Sequence, residues 1–263
     1  MQLYSQLIDG AQAETILFIP GLTGSHTCWD EHFQALRRNY NLLLLDTLGF
    51  GHSPKPDIAY SLDNHLHAIG ETLERWQVQQ THLVGHSMGC LLGLAFAHRY
   101  PERIGKLCFL ALPWFQNEQE ARESIRHSSL FNRWLAMDSS LAQAACTLMC
   151  ALRPLLLPII PHLVRDVPPM VAQDALRHTW LSYSRTLQHV IFEADTSNWM
   201  AEISYPLLLM HGRQDTTAPL ENVKNRLVST RHARLIELDA DHGLIFTHSR
   251  IIATSIAEFF SIP

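Results

Sequence analysis

Short, mainly apolar runs that alternate with longer amphipathic stretches most restrict the fold of this sequence. The runs lie at 15–19, 42–45, 81–84, 106–112, 206–210 and 233–238. Apolar runs too short for a helix are typical of strands buried on both faces, as in a parallel sheet. Stretches such as 62–76 and 251–260 instead repeat apolar residues at helical spacing, with Ser61 as a candidate N-cap of the first. The alternation predicts an α/β protein with a doubly wound, mostly parallel sheet and helices on both faces.

The rhythm changes between 113 and 199, where no run is typical of a strand and the residues favour short helices. We predict a core domain formed by 1–112 and 200–263, and a helical cap inserted at 113–199 over one end of the sheet. A chain of 263 residues has room for one such core and its insertion. The segment is divided by Pro154, Pro158, Pro161, Pro168 and Pro169.

Composition excludes several classes of partner. A hydrophobic fraction of 47% with 17% charged residues is ordinary for a globular protein, and a net charge of −5 with scattered Lys and Arg argues against nucleic acid. The N-terminus lacks the pattern of a secretory signal, and the most apolar segment, 155–164, is too short to span a bilayer. Five cysteines without a CxxC pair favour reduced thiols. We expect a cytoplasmic protein with a small-molecule substrate and no membrane partner.

Histidine is abundant, with 16 copies, but its spacing does not favour a metal centre. His65 and His67 are the nearest pair, and side chains two residues apart on a helix point in different directions. The sequence supplies no Cys or carboxylate cluster beside them to complete a site. We expect neither a metal nor another cofactor.

One Gly-x-Ser-x-Gly stretch, Gly85 to Gly89, joins the run 81–84 to an apolar helical pattern at 91–100. This placement is typical of a nucleophile elbow, in which a strained turn exposes the serine hydroxyl. The pattern also arises by chance in about one chain in ten of this length, as a turn without chemistry. The rest of the chain must therefore supply a base, an acid and an oxyanion site.

Three reactive side chains follow predicted strands: Ser87, Asp215 and His242. In open α/β sheets, ligands bind beyond the carboxyl ends of the strands, and the chain order Ser, Asp, His is the one expected there. Ser87 is the predicted nucleophile, His242 the base and Asp215 the acid that orients the imidazole. Asp239 and Asp241 are alternative acids, although their closeness to His242 in sequence hinders a straight approach to its ring.

A glycine-rich loop, 20–25, follows an early predicted strand. The backbone N–H groups of Leu22 and Met88 are the predicted oxyanion donors. We expect His86, beside the nucleophile, to be structural, and Asp46 to brace its loop through backbone N–H groups.

The predicted cap is rich in aromatic residues and lacks a cluster of one charge. Most of these residues should form its own core, but some should face the cleft. An apolar lining favours a small to medium apolar acyl compound. The candidate substrate-binding residues are Trp114, Phe115, Phe131, Trp134 and Trp180.

Five motifs in order resemble those of the α/β-hydrolase superfamily over nearly the whole chain. They lie at 20–25, 46–53, 85–89, 211–215 and 241–243. One departure is Pro20-Gly21, where the superfamily usually has His-Gly before the oxyanion residue. The resemblance implies the fold and a serine nucleophile, which argues against the haloalkane dehalogenases and epoxide hydrolases with an Asp nucleophile. It leaves open esterases, thioesterases, carbon–carbon bond hydrolases, lyases and cofactor-free haloperoxidases.

The leading hypothesis is a serine hydrolase that cleaves an ester or thioester through an acyl-enzyme. One alternative is a carbon–carbon bond hydrolase of the meta-cleavage type, which would need a cation for the substrate carboxylate. Candidates for that cation are Arg153, Arg165, Arg177 and Arg213. Another alternative is a small-molecule receptor that keeps the triad but turns over slowly.

Overall fold

A seven-stranded sheet forms the centre of the computed structural model, which describes residues 1–11, 14–128, 140–164, 166–227 and 232–262. Its strands run in the spatial order β1-β3-β2-β4-β5-β6-β7. Their bounds are Ser5–Ile8 (β1), Thr15–Ile19 (β2), Asn41–Leu45 (β3), Thr81–His86 (β4), Ile104–Leu110 (β5), Leu207–Gly212 (β6) and Ala233–Leu238 (β7).

Neighbouring strands are parallel except at one edge, where β1 pairs antiparallel with β3. Every residue of β2 and β6 is buried, as expected of strands covered on both faces. The predicted doubly wound, mostly parallel sheet is confirmed. The sequence analysis missed β1, because its residues are partly exposed and mix polar with apolar side chains.

Helices cover both faces of the sheet. The helix Leu62–Arg75 begins at Ser61, whose hydroxyl accepts a hydrogen bond from the Asn64 N–H at 3.3 Å, so the predicted N-cap is confirmed. After the glycine-rich loop, the short helix Glu31–Gln34 is followed by a 3₁₀ turn, Ala35–Arg38. The remaining core helices are Met88–Arg99, Leu220–Leu227, Leu244–Thr247 and Ser249–Ser261.

An insertion of helices separates β5 from β6. It packs on the loops after β2 and β3, where the Ser25 hydroxyl donates to Asp174 at 2.8 Å and Arg185 pairs with Asp57 at 2.6 Å. Its division from the core at 113 and 199 stays a prediction. The helices are Glu118–Ser128, Ser140–Ala151, Arg153–Leu156, Ile160–Leu163, Pro169–Ala175, Trp180–Thr186 and Thr196–Glu202, with a π-helical turn at Leu187–Phe192.

The sheet carries a hydrophobic core on each face. One core joins β-strand side chains to the helices Leu62–Arg75 and Met88–Arg99 and to part of the insertion. The other packs against Glu31–Gln34 and Ser249–Ser261. None of the helices within the described ranges is long and apolar enough to cross a membrane.

Candidate active site

The turn between β4 and the helix Met88–Arg99 holds Ser87 in a strained conformation, with φ 51° and ψ −120°. A β-carbon on Gly85 would lie 2.6 Å from the Gly89 carbonyl oxygen, and one on Gly89 would lie 2.1 Å from the Ile19 carbonyl oxygen. Any larger residue would force these backbones apart. Gly85 is thus required by the close approach of the following helix, and Gly89 by that of the end of β2.

Ser87, His242 and Asp215 form one hydrogen-bonded series at the carboxyl ends of the strands. Ser87 follows β4, Asp215 follows β6 and His242 follows β7. The distance from Ser87 Oγ to His242 Nε2 is 2.9 Å, and that from His242 Nδ1 to Asp215 Oδ2 is 2.8 Å. The structure therefore brings together the three residues that the sequence analysis named.

Asp215 is buried, and its carboxylate is held from two sides. Oδ1 accepts the backbone N–H groups of Thr217 at 2.9 Å and Ala218 at 2.8 Å. Burial alone would raise the pKa of Asp215, but hydrogen bonds from His211, His242 and Ala218 outweigh it and hold that pKa well below its usual range. The residue is therefore an anion at neutral pH, as a partner of His242 Nδ1–H requires.

The two alternative acids bond elsewhere. Asp239 Oδ1 accepts from Gln214 Nε2 at 2.8 Å, and Asp241 Oδ1 accepts from the Gly243 N–H at 2.8 Å. Asp241 thus caps the turn that carries the histidine, without a recorded bond to its ring. Of the three carboxylates, Asp215 is the one placed against His242.

His86 connects the elbow to the loop of the predicted base. Its Nε2–H donates to the main-chain carbonyl of His242 at 3.0 Å. Burial lowers the pKa of His86 to about 3, so the ring is neutral. A β-carbon on Gly21 would lie 3.2 Å from His86 Nδ1 and 3.2 Å from Ser87 Cβ, so the glycine-rich loop lies directly against both. His86 is structural, as expected, but its partner 156 residues away left no signal in the sequence.

His211 is a second buried histidine whose role the sequence analysis missed. Its Nε2–H donates to the Ala218 carbonyl at 2.6 Å and lies 3.4 Å from Asp215 Oδ2. It therefore ties the strand end of β6 to the loop that presents the acid. The adjacent His211-Gly212 pair at a strand end was the available clue.

The predicted oxyanion donors lie next to the elbow. Met88 is the first residue of its helix, so its N–H has no partner within that helix. Leu22 follows Gly21, whose carbonyl accepts the Gly24 N–H at 3.0 Å in a tight turn. The role of Leu22 and Met88 as oxyanion donors stays a prediction.

The predicted substrate-binding aromatics divide into three groups. Trp114 and Phe115 are buried in the core, and Trp114 Nε1 donates to the Ser197 hydroxyl at 3.1 Å. Trp180 is partly buried against the same core. Phe131 and Trp134 lie outside the described residues. Contact of any of them with substrate stays a prediction.

The arginines considered as partners for a substrate carboxylate differ in their exposure and in their hydrogen-bond partners. The Arg213 side chain is 57% exposed and pairs with Glu237 at 3.1 Å, which fits a surface role. Arg177 pairs with Asp174 at 2.9 Å. Arg153 donates from Nη2 to a main-chain carbonyl, and Arg165 lies outside the described residues.

One group within the described chain has ligand atoms close enough to hold a metal ion: His26, Asp46 and His52, within 4.8 Å of one another. Asp46 accepts the backbone N–H groups of His26 at 2.6 Å and His52 at 2.7 Å and faces both Nδ1 atoms. This is the loop bracing expected of Asp46. Burial opposes its ionisation, but bonds from the two histidines lower its pKa. His65 is buried against Thr186, whereas His67 pairs with a surface glutamate.

The fold and this site define the class of protein. Residues 14–152 match the family described as the alpha/beta hydrolase fold, and the chain belongs to that family. The resemblance drawn from the sequence motifs is confirmed.

Among curated proteins, the chain is 28% identical over 242 residues to a probable lysophospholipase, BODYGUARD 1, of Arabidopsis thaliana. The match covers 82% of this chain but 52% of the relative, so the chain spans about half the length of that protein. It is 25% identical to a putative 2-succinyl-6-hydroxy-2,4-cyclohexadiene-1-carboxylate synthase of Bacillus subtilis (strain 168), covering 98% of this chain and 94% of the relative.

Solved structures share the fold. An enol-lactonase from Burkholderia xenovorans LB400 superposes with a TM-score of 0.73 at 20% identity, covering 98% of this chain and 96% of that one. The alpha/beta hydrolase MGS-M2, from a Medee basin deep-sea metagenome library, gives a TM-score of 0.78 at 16% identity, covering 99% and 94%. At such identities the likeness concerns the fold alone.

Proposed function

We propose that the chain is a serine hydrolase that cleaves a carboxylic ester or thioester of a small to medium apolar acyl compound. The observation that carries the proposal is the series Ser87 Oγ–His242 Nε2–Nδ1–Asp215, with distances of 2.9 and 2.8 Å. A serine hydroxyl is a weak nucleophile at neutral pH unless a base removes its proton. Here the base is already within hydrogen-bond reach and already oriented.

The proposed reaction has two halves. His242 Nε2 takes the Ser87 proton as Oγ attacks the carbonyl, and the imidazolium is stabilised by the Asp215 carboxylate. The tetrahedral oxyanion would accept the N–H groups of Leu22 and Met88, each typically worth about 3 kcal/mol. His242 then protonates the leaving alcohol or thiol, and a water molecule releases the acyl group by the reverse sequence.

The apolar substrate class is supported by the insertion. Four of its leucines stay largely exposed: Leu141 (70%), Leu148 (59%), Leu155 (66%) and Leu163 (70%). Leu152, Ile159, Val164 and Met170 of the same stretch are also exposed, and a concentration of exposed apolar side chains favours contact with an apolar partner. Relatives of the chain include a probable lysophospholipase and a putative carbamate hydrolase, so hydrolases with different leaving groups occur among its relatives.

A substrate panel tests the proposal. Wild type and Ser87→Ala are compared on p-nitrophenyl esters of increasing acyl length, an acyl thioester and a vinylogous dienoate. We expect measurable ester turnover with an optimum length, and loss of about a millionfold in kcat for Ser87→Ala. Ester hydrolysis that survives in Ser87→Ala contradicts the proposal.

The same panel separates the alternatives. Cleavage of the dienoate with little ester turnover would favour carbon–carbon bond hydrolysis. Very slow turnover of every compound, together with ligand-dependent melting, would favour a receptor. Either outcome would contradict the proposed ester hydrolase.

A further inference from the structure

The insertion presents an aliphatic surface to the solvent. Among the described residues, eleven large apolar side chains are exposed, and eight of them lie between 141 and 170. The intervals between six of these eight are 7, 4, 3, 4 and 4 residues, the spacing that places helical side chains on one side. We call these six the aliphatic face: Leu141, Leu148, Leu152, Leu155, Ile159 and Leu163.

Main-chain hydrogen bonds connect the elements that carry this face. The Leu152 N–H donates to the Leu148 carbonyl at 2.9 Å, and the Leu156 N–H donates to the Leu152 carbonyl at 3.1 Å. The helical path therefore continues from Ser140–Ala151 into Arg153–Leu156, and the exposed leucines keep their side of it.

The first of these helices is already packed by its opposite side. Within Ser140–Ala151, Ala142 and Cys146 are buried, and the Cys146 thiol lies 3.6 Å from His178 Nε2. Met149 packs against the hydrophobic core on one face of the sheet. The aliphatic face is therefore the outer side of an anchored layer, and no other part of the described chain covers it.

The charged residues of this segment are all basic. Between Asp138 and Asp166 the sequence contains no acidic residue, although the whole chain has 25. Apart from cysteines, the ionisable side chains there are Arg153, His162 and Arg165, of which Arg165 lies outside the described residues. A surface that is aliphatic and basic is complementary to one that is apolar inside and carries phosphate groups outside.

Two other occupants fit this face less well. A two-fold dimer would set the basic residues against the same residues of a second copy, with no carboxylate between Asp138 and Asp166 to pair with them. Interfaces with other proteins are enriched in aromatic residues and contain about ten hydrogen bonds, whereas the aliphatic face consists of leucine and isoleucine. A phospholipid surface requires neither feature.

We propose that the aliphatic face docks the protein on a phospholipid surface. Its side chains lie about 5–10 Å deep, at the boundary between headgroups and acyl chains, with the basic side chains at the level of the phosphates. The sequence analysis expected no membrane partner because no segment is long enough to span a bilayer, but docking on a surface requires no span. The docking is independent of the proposed function, because a chain without its nucleophile still carries the face.

Vesicle sedimentation measures the docking. Wild type and Ser87→Ala are mixed with phosphatidylcholine vesicles and with vesicles containing about one quarter phosphatidylglycerol, and the bound fraction gives a partition coefficient. We expect both proteins to bind both vesicles, and to bind the anionic vesicles more tightly. That difference should disappear in about 1 M salt, which screens charges beyond about 3 Å.

Two leucines of the aliphatic face provide the test variants. Leu155→Gln and Leu163→Gln should each lower the partition coefficient about tenfold, the contribution expected of one leucine side chain removed from water. Ile251→Gln is the matched control, because Ile251 is also exposed but lies on the helix Ser249–Ser261, outside the face. It should leave the partition coefficient unchanged. Melting temperatures identify any variant that fails to fold.

Several outcomes would overturn the docking. Binding that survives in both leucine variants, or that Ile251→Gln reduces as much, rejects the aliphatic face as the docking surface. Equal or weaker binding to the anionic vesicles rejects the charge complementarity on which the proposal rests. Absence of binding to either vesicle rejects the docking itself, and a dimer in sedimentation equilibrium that Leu155→Gln dissociates would then assign the face to a second copy.

The docking and the proposed function fail separately. Vesicle binding that is equal in wild type and Ser87→Ala supports the docking whatever the activity. Ester hydrolysis that persists in Ser87→Ala overturns the proposed function and leaves the docking intact.

Discussion

Replacing Asp215 by Asn tests the proposed triad at its most constrained point. Oδ1 of Asp215 accepts two backbone N–H groups, from Thr217 and Ala218, at 2.9 and 2.8 Å. An asparagine must keep its amide oxygen at that position, since an NH₂ group cannot accept those donors. Its NH₂ group then faces His242 Nδ1, where Oδ2 lies 2.8 Å away in the native chain.

This arrangement forces the wrong tautomer of His242. Nδ1 must accept from the asparagine, so the ring proton moves to Nε2, which lies 2.9 Å from Ser87 Oγ. A protonated Nε2 cannot take the serine proton. We expect kcat/KM to fall about 10⁴-fold, which corresponds to about 5 kcal/mol of lost transition-state stabilisation.

The assay is p-nitrophenyl ester hydrolysis by wild type, Asp215→Asn, Asp239→Asn and Asp241→Asn, with Ser87→Ala as the floor. Asp239 and Asp241 are matched controls, because they bond to Gln214 and to the Gly243 N–H. Asp215→Asn activity within about tenfold of wild type would refute the tautomer argument. So would an equal loss in Asp241→Asn.

Three further predictions concern stability. Gly89→Ala should lower the free energy of unfolding by about 2 kcal/mol or more, because its β-carbon would lie 2.1 Å from a carbonyl oxygen. Gly70→Ala, in the helix Leu62–Arg75, should raise the free energy of unfolding by about 0.5–1 kcal/mol, because a β-carbon there would have nothing within 4 Å. Melting temperatures of the two variants that shift in the same direction would contradict the pair of predictions. Burial lowers the pKa of His65 to about 3, of His86 to about 3 and of His178 to about 4. The unfolded chain, with histidine pKa values near 6.5, binds more protons between about pH 4 and 6.5, so stability should fall on acidification through that window, by up to about 4 kcal/mol per pH unit. Urea midpoints of unfolding at about pH 7 and pH 5 measure this pH dependence. His65→Leu should remove about a third of the change in stability per pH unit. Equal midpoints at the two pH values would contradict the prediction.

Local sequence patterns were sufficient to predict most of the strands. The run 15–19 is apolar after Thr15 and coincides with β2, and β7, Ala233–Leu238, was likewise predicted residue for residue. β1 was missed for two reasons. It pairs with residues distant in the sequence, such as Ser5 with Leu45, and its own residues, Ser-Gln-Leu-Ile, do not alternate between polar and apolar.

In the candidate site, too, residues within local motifs could be predicted, whereas residues that depend on distant partners could not. Ser87, Asp215 and His242 were predictable because each sits in a motif at a strand end, and strand ends meet at one edge of a sheet. The contacts of His86 were not, since its partner is the main chain of a residue far along the sequence.

The strained backbone at Ser87 lowers the stability of the fold while presenting the hydroxyl of the proposed nucleophile. A serine at φ 51° stores roughly 1–3 kcal/mol of backbone strain, which a glycine at the same position would release. Selection for thermal stability alone would therefore favour Ser87→Gly, which would remove the proposed nucleophile. Under the proposed function the serine is retained for its chemistry, so we expect a natural variant with glycine at position 87 to keep the fold and to lack ester hydrolysis.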